Sequence, residues 1–192
     1  MADIDSLRDF YDNFAWDAAP LRSFAAPVWG AIVYLVVVGC LYPYAREQMD
    51  LKKRQQSTVQ QNGSAKVPVM THVMAGHNMV LCIWSLIMCG GTLFEVHRRV
   101  GKEGSMWWLL CEHPDTTSTG PLFFWSWMYY ISKYYELLDT IFTLLKGTIP
   151  PSFTLGVYHH AVVLFMAWLW PETAQSLQFY GLLFNTFVHV IM

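Results

Sequence analysis

Charged residues are scarce in this chain of 192 residues, since Asp, Glu, Lys and Arg make up only 14% of it. Apolar residues make up 54%, and a soluble core of this size would leave large apolar patches exposed. A soluble domain usually carries about 25% charged residues. The net charge of −2 shows no basic domain, so no nucleic-acid partner is predicted. The composition predicts a membrane protein whose surroundings are the lipid bilayer.

Paired cysteines and a basic N-terminus are also missing. The four cysteines show no CxxC spacing and no ligand cluster, so the sequence predicts no metal site. Cys111 lies in a polar loop and would be open to disulfide formation if that loop were lumenal. The first residues carry aspartates where a removable signal peptide has basic residues, so no such peptide is predicted.

The apolar runs predict an all-α fold, a multi-pass transmembrane helical bundle that forms a single transmembrane domain over residues 1–192. A spanning helix needs about 20 mostly apolar residues, because its backbone polar groups must be satisfied inside the helix. Five runs reach this length, at about 24–45, 67–93, 121–145, 152–170 and 174–192. The polar stretch 55–66 predicts a flexible linker, and Pro150 and Pro151 separate the third and fourth spans. The chain ends inside an apolar run, so we expect a longer protein.

Basic residues around the first span predict its orientation. The segment before this span has Arg8 and Arg22 among several aspartates. The loop after it carries five basic residues, Arg46, Lys52, Lys53, Arg54 and Lys66. Cytosolic loops are enriched in Lys and Arg, so this loop is predicted to be cytosolic and the N-terminus lumenal.

Polar residues interrupt the last three spans, where such groups are costly and by default mark a functional site. They are Lys133, Glu136 and Asp139 in the third span, His159 and His160 in the fourth, and Asn185 and His189 in the fifth. At 1.5 Å per residue, Glu136 and His189 each lie roughly 22 Å from the outer ends of their spans, and His159 roughly 10 Å from the cytosolic end. In a core of about 30 Å, these depths agree. We predict a polar chamber walled by three helices and open to the cytosol.

A structural interpretation competes with this chamber. The charged residues of the third span would form an ion pair that holds helices together, and an intramembrane histidine is often only a helix–helix hydrogen bond. His72 and His77 lie near the cytosolic end of the second span, and we predict structural or interfacial roles for them. His97 and His113 lie in the outer loop and receive no role.

The three polar segments resemble, in order and spacing, the signature segments of the very-long-chain fatty acid elongases, the ELO family. KYYELLDT at 133–140 resembles the family's KxxExxD segment, VYHHA at 157–161 the core of its HxxHH box, and NTFVHVIM at 185–192 its NxxxHxxM segment. The resemblance covers roughly 121–192 strongly and the earlier spans only by topology. Gly156 stands where the family has the first histidine of the box. The resemblance implies seven spans, so the chain would be truncated before the last two.

The resemblance implies a condensing enzyme, a very-long-chain 3-oxoacyl-CoA synthase that joins malonyl-CoA to a long-chain acyl-CoA. The products would be a 3-oxoacyl-CoA, carbon dioxide and CoA, and the resemblance implies no cofactor beside these substrates. Soluble condensing enzymes commonly use a cysteine nucleophile, and depth alone leaves only Cys82 open for that role here. A neutral imidazole can accept the acyl group instead, because an acyl-imidazole stays reactive toward an enolate.

On this basis we predict roles for the polar residues. His159 would accept the acyl group, while His160 and His189 would assist proton transfer and stabilise the enolate. Asn185 would orient or donate to an oxyanion, and the charged triplet of the third span would set the charge and tautomer of the histidines or hold substrate.

Substrate delivery and location are further expectations. Four basic residues would steer the CoA phosphates, unless they only determine topology: Lys52, Lys53, Arg54 and Lys146. The resemblance implies the endoplasmic reticulum membrane, and it leaves open a partnership with other enzymes of the elongation cycle or with a second copy of the chain.

Two other functions remain open. An iron-dependent membrane desaturase or hydroxylase also uses HxxHH boxes, but it needs several of them, and the seven histidines of this chain include one adjacent pair. A non-enzymatic membrane scaffold or transporter fragment would use the same polar residues only as a structural core.

Overall fold

The computed structural model describes residues 2–58 and 69–191, and within these ranges the chain forms α-helices and no strand. The predicted all-α helical bundle is confirmed. The helices in these ranges are α1 (Ala2–Asp12), α2 (Ala25–Thr58), α3 (Val69–Glu103), α4 (Trp107–Leu110), α5 (Pro121–Leu145), α6 (Phe153–Glu172) and α7 (Gln178–Ile191). A short 3-10 turn, Trp16–Ala18, lies between α1 and α2.

Helix α5 is the centre of the bundle, because it packs against α2, α3, α6 and α7. Its buried residues include the ionisable Lys133 and Glu136 together with aromatic and apolar side chains. Ionisable groups are costly against lipid, so a helix that carries them is stable in a membrane when neighbouring helices surround it. The packing thus explains how α5 tolerates its polar residues.

The outer faces of α2 and α3 are apolar. Their exposed side chains include Trp29, Val33, Val36, Met79, Ile83, Leu86 and Ile87. Lipid tails rather than water suit such surfaces. Among the described residues, three helices are long and apolar enough to cross a membrane: α2 through Gln55, α3 and α6.

The two other predicted spans fall on helices of a different character. Helix α5 contains three charged residues. The described part of α7 is short, with 14 residues from Gln178 to Ile191. Whether α5 and α7 also cross the membrane stays a prediction.

Helices α2 and α3 extend beyond the apolar runs that predicted them. Helix α2 continues to Thr58 rather than ending near residue 45, and α3 continues to Glu103. The added stretches contain Lys, Arg, Gln and Glu, which favour helix as strongly as many apolar residues do. The first four residues of the predicted linker at 55–66 are therefore helical, and its residues 59–66 lie outside the described ranges.

Gly91 and Gly147 are among the glycines that permit close contacts in the bundle. A Cβ at Gly91 on α3 would lie 2.1 Å from the Trp125 ring on α5, so only glycine lets this ring pack against the helix. Gly147 has φ +66° and follows the end of α5, where Thr148 N–H donates to the Thr143 carbonyl and Gly147 N–H to the Leu144 carbonyl. This pattern is the Schellman ending of a helix, and it turns the chain toward α6.

The two ends of the bundle differ in what holds them. At one end, the N-terminal segment (residues 13–24) is bound to the α4–α5 loop and to α6, through Trp16 N–H to the Ser118 carbonyl and Trp16 Nε1–H to Glu172. At the other end, Lys52 Nζ on α2 donates to the carbonyls of Lys146 and Gly147 after α5. This arrangement gathers the predicted outer segments at one end and the predicted cytosolic segments at the other.

Candidate active site

The site is built around a buried ion pair on α5. Lys133 Nζ lies 2.6 Å from Glu136 Oε1, one helical turn away, and each residue is only 3% exposed. The ammonium also lies 4.0 Å from the centre of the Tyr129 ring, which contributes a cation–π contact. The i, i+3 spacing read from the sequence is what brings the two charges together.

Helix α7 completes this ionic network. Lys133 Nζ donates to Asn185 Oδ1 at 2.7 Å, and His189 Nε2 lies 3.6 Å from Glu136 Oε2. Asn185 and His189 are one turn apart on the same face of α7, which explains how both reach α5. Glu136 therefore faces a lysine with one carboxylate oxygen and a histidine with the other.

Asp139, the third charged residue of α5, points to α3. Its Oδ1 lies 2.9 Å from Nε2 of His77, whose side chain is 3% exposed. The His77 ring stacks on Tyr135 with centroids 4.5 Å apart and meets Phe142 edge-on at 5.2 Å. The sequence predicts only a structural or interfacial role for His77 and does not predict this contact.

The paired histidines on α6 are less enclosed. His159 is exposed, whereas His160 is half-buried and packs edge-on against Tyr34 with ring centroids 6.4 Å apart. The two histidine rings are 5.7 Å apart. Electrostatic interactions connect His160 with Glu136, Lys133 and His189, so α6 brings its histidines into range of the α5–α7 network.

Gly156 occupies open space on the same face of α6. A Cβ added there would meet no atom within 4 Å, so alanine fits without displacing a neighbour. The position lines a cavity of about 170 Å³ together with His160 and Asp139.

A larger cavity lies on the α3 and α7 side of α5. It measures about 540 Å³, and its lining includes Asp139, His189, Asn78 and Cys82. Asp139 and Thr143 border both this cavity and the smaller one beside Gly156. Cys82, which depth alone left open, thus reaches the polar region, although its Sγ also lies 3.8 Å from the Val190 carbonyl.

The residues predicted to attract CoA lie at the end of the bundle that is opposite the N-terminal segment. Lys52 is engaged by the backbone carbonyls that follow α5. A lysine at a helix C-terminus stabilises that helix, so Lys52 has a structural role here. Lys53 and Arg54 are exposed on the last turns of α2, and Lys146 is half-buried beside Gly147.

Within residues 2–58 and 69–191, no group of three or more His, Cys, Asp or Glu side chains is placed to hold a metal ion. This part of the chain therefore contains no ligand set that would support the alternative function, an iron-dependent enzyme.

The fold and the ionic network define a helical membrane protein with a polar centre. The chain belongs to the ELO family, described as the GNS1/SUR4 family, whose model matches residues 19–192. The predicted family is therefore confirmed.

Several curated relatives carry elongase names. A Dictyostelium discoideum protein named as a candidate fatty acid elongase is 43% identical over 123 residues, which cover 64% of this chain and 40% of that protein. Fatty acid elongase sre1 of the same organism is 26% identical over 94% of this chain and 61% of its own length. Very long chain fatty acid elongase 2 of Rattus norvegicus is 34% identical over 57% of this chain and 42% of its own length. The chain thus spans about half the length of these relatives, and no solved structure matches it.

Proposed function

We propose that this chain carries the condensing site of fatty acid elongation, a very-long-chain 3-oxoacyl-CoA synthase that joins malonyl-CoA to a long-chain acyl-CoA. The relatives named as fatty acid elongases support the proposal. The observation that carries the proposal is the position of Glu136, whose carboxylate faces both Lys133 and His189. Two more histidines, on α6, lie within electrostatic range of these residues. An ion pair that served packing alone would need none of these imidazoles.

The reaction needs an acyl acceptor, an enolate and donors for the developing negative charge. In the proposed sequence, His159 attacks the acyl thioester and CoA leaves as its thiol. Malonyl-CoA then loses carbon dioxide, and the electron pair of the broken carbon–carbon bond forms the enolate. The enolate attacks the acyl-imidazole carbonyl, which forms the new carbon–carbon bond and breaks the acyl–nitrogen bond, and the released His159 takes up a proton from water through the neighbouring imidazoles. His159 is exposed on α6 and adjacent in the chain to His160, which lines the smaller cavity.

Asn185 is arranged to act as a hydrogen-bond donor. A lysine ammonium can only donate, so its contact fixes the amide oxygen of Asn185 on Lys133. The Asn185 amide N–H groups then point elsewhere and can bind an enolate or tetrahedral oxyanion. Donors held in place before the reaction stabilise such charge without reorganisation.

His189 and His160 are proposed to carry protons between these groups. Glu136 lies beside His189 Nε2 and favours a proton on that nitrogen, which leaves Nδ1 as an acceptor. His160 lies next to His159 in the chain and lines the cavity that Asp139 borders. His189 lines the larger cavity and His160 the smaller one, and Asp139 borders both.

Delivery of the substrates is proposed from the end of the bundle that carries Lys53, Arg54 and Lys146. CoA phosphates are anionic, so exposed cations there would raise the local substrate concentration. The proposal places this end in the cytosol, the N-terminus in the lumen and the protein in the endoplasmic reticulum membrane. Other enzymes of the elongation cycle, or a second copy of the chain, are the proposed protein partners.

The test is an elongation assay on the full-length protein in membranes or detergent. Long-chain acyl-CoA and labelled malonyl-CoA are supplied, and 3-oxoacyl-CoA is measured. We expect product from the wild type and a loss of at least about 100-fold in His159→Ala, because the acyl acceptor is gone. Labelled acyl-CoA alone should leave a hydroxylamine-sensitive label on the wild type and none on His159→Ala.

His97→Ala is the matched control, because His97 is exposed on α3 and lies outside the ionic network. Its rate should stay within about twofold of the wild type. A wild-type protein that forms no 3-oxoacyl-CoA would overturn the proposed reaction. Full activity in His159→Ala would remove that residue from the acceptor role while leaving the reaction in place.

A further inference from the structure

His77 is an imidazole that the proposed reaction does not use. It lies on α3 and is 5% exposed, among the aromatic rings of Tyr135 and Phe142. These two rings fix the plane of the imidazole from its face and its edge. In this plane Nε2 lies 2.9 Å from Asp139 Oδ1.

Packing does not explain an imidazole at this position. Within the described residues, Nδ1 of His77 has no hydrogen-bond partner, and Nε2 meets Asp139 at short distance without good hydrogen-bond alignment. A buried polar atom without a partner destabilises the fold. An apolar side chain would fill the same space between two aromatic rings without this cost, so the contact with Asp139 is the feature that distinguishes histidine here.

Asp139 lies between the two cavities of the site, so the orientation of its carboxylate matters for both. Its side chain is 33% exposed and borders both cavities of the site. One cavity is lined by His189 and the other by His160. The carboxylate therefore borders the cavities of two of the proposed proton-transferring histidines, and its rotamer sets its distance from each of them.

We propose that His77 is a positioning residue, which holds the carboxylate of Asp139 between the His160 and His189 cavities through its Nε2–Oδ1 contact. This proposal rests on the proposed condensing function. His77 does not touch the cavities, so it acts through Asp139 and not on the substrate. The loss of its N–H should lower the turnover number and leave substrate binding almost unchanged.

The first test compares His77→Gln with His77→Met in the full-length protein. The two side chains are close in size, and both lose the stacked ring, but only glutamine offers an N–H to Asp139. We expect His77→Met to lower kcat about tenfold with KM within about twofold, and His77→Gln to recover most of the loss. A purely structural imidazole predicts equal kcat losses in the two variants, and that result would overturn the proposal.

Asp139→Asn provides the double-mutant cycle. If His77 acts through Asp139, His77→Met should cost much less in the Asp139→Asn background than in the wild type. Losses that simply multiply would show independent action and contradict the proposal. His72→Met is the control on the same helix, because His72 is exposed, and its kcat should match that of the wild type.

A second measurement does not depend on catalysis. In protein labelled with ¹⁵N-histidine, the Nε2 resonance of His77, identified by its loss in His77→Gln, should shift when Asp139→Asn is introduced. An unchanged resonance would overturn the contact even if the protein elongates fatty acids. A shifted resonance in a protein without elongation activity would leave the contact intact and reject the condensing function.

Discussion

At the scale of single residues, the most consequential feature is that Lys133 and Glu136 are both almost fully buried. Taking such charges out of water is costly, and their mutual attraction offsets the cost only when each keeps its partners. Lys133 has Glu136, Asn185 and the Tyr129 ring as partners, and Glu136 also has His189. Removing one charge leaves the other buried and uncompensated.

We therefore expect Lys133→Met to lower the free energy of unfolding by about 3–5 kcal/mol. Unfolding in mixed micelles with increasing SDS measures this loss. The double variant Lys133→Met/Glu136→Gln should be more stable than Lys133→Met, because no unpaired carboxylate remains. If Lys133→Met were as stable as the wild type, the pair would contribute nothing to the fold.

The same residues show how far the sequence predicted the site. Depth along each span predicted one polar layer, and the i, i+3 and i, i+4 spacings predicted which side chains share a face of α5 and of α7. The sequence did not predict the partner of Asp139, because that depends on the rotation of α3 against α5. In the structure His77 belongs to a buried stripe of α3 with Leu81, Ser85, Met88 and Thr92, a face that the apolar run in the sequence does not distinguish.

At the scale of elements, hydropathy located helices well where they lie among other apolar helices. The predicted span 121–145 matches α5 (Pro121–Leu145), and 152–170 is close to α6 (Phe153–Glu172). Hydropathy did not predict the polar extensions of α2 and α3 or the presence of α1, because these depend on helix propensity and on tertiary contacts. Phe10 and Tyr11 of α1, for example, pack on the Phe124 ring of α5.

The turn between α5 and α6 provides a prediction at this scale. Gly147 has a left-handed backbone, and a Cβ there would lie 2.6 Å from Cβ of Gln48 on α2. We expect Gly147→Ala to lower the free energy of unfolding by about 1–3 kcal/mol, through backbone strain and steric overlap. The SDS unfolding midpoint measures the change.

Gly39→Ala is the matched control for this substitution. Gly39 lies inside α2, where a Cβ would meet nothing within 4 Å. Alanine favours helix over glycine by up to about 1 kcal/mol, so this variant should be as stable as the wild type or more so. Equal stability of Gly147→Ala and Gly39→Ala would contradict the role assigned to the turn.

At the scale of the whole molecule, the end opposite Lys52 is held by a second set of polar contacts. Glu112 accepts two hydrogen bonds from Arg99 at 2.7 Å, and its backbone N–H donates to Ser176 before α7. Arg99 also lies 4.1 Å from the Trp108 ring. These contacts connect α3, α4 and the start of α7 in one cluster.

This cluster predicts a pH dependence of stability. Burial raises the pKa of the Glu112 carboxyl, but the hydrogen bonds and charge of Arg99 lower it by more, so its pKa in the fold is below its ordinary value. A carboxyl with a lowered pKa stabilises the fold above its unfolded pKa, and this contribution is lost as pH falls through the folded value. Between about pH 6 and pH 3, we expect the Tm of the wild type to fall by about 2–4 °C more than the Tm of Glu112→Gln.

Thermal unfolding in detergent at a series of pH values checks this difference. Parallel profiles for the wild type and Glu112→Gln would show that the Arg99 contact does not hold this end of the molecule.

The contact between Trp16 and Glu172 has a consequence for biosynthesis. The two residues are separated by 156 positions, and a ribosome adds about 5–20 residues per second. Trp16 is therefore made roughly 10–30 s before its carboxylate partner exists. During that interval the nascent N-terminal segment can already bind the α4–α5 loop through the Ser118 carbonyl, but its contact with α6 forms only after Glu172 has been made.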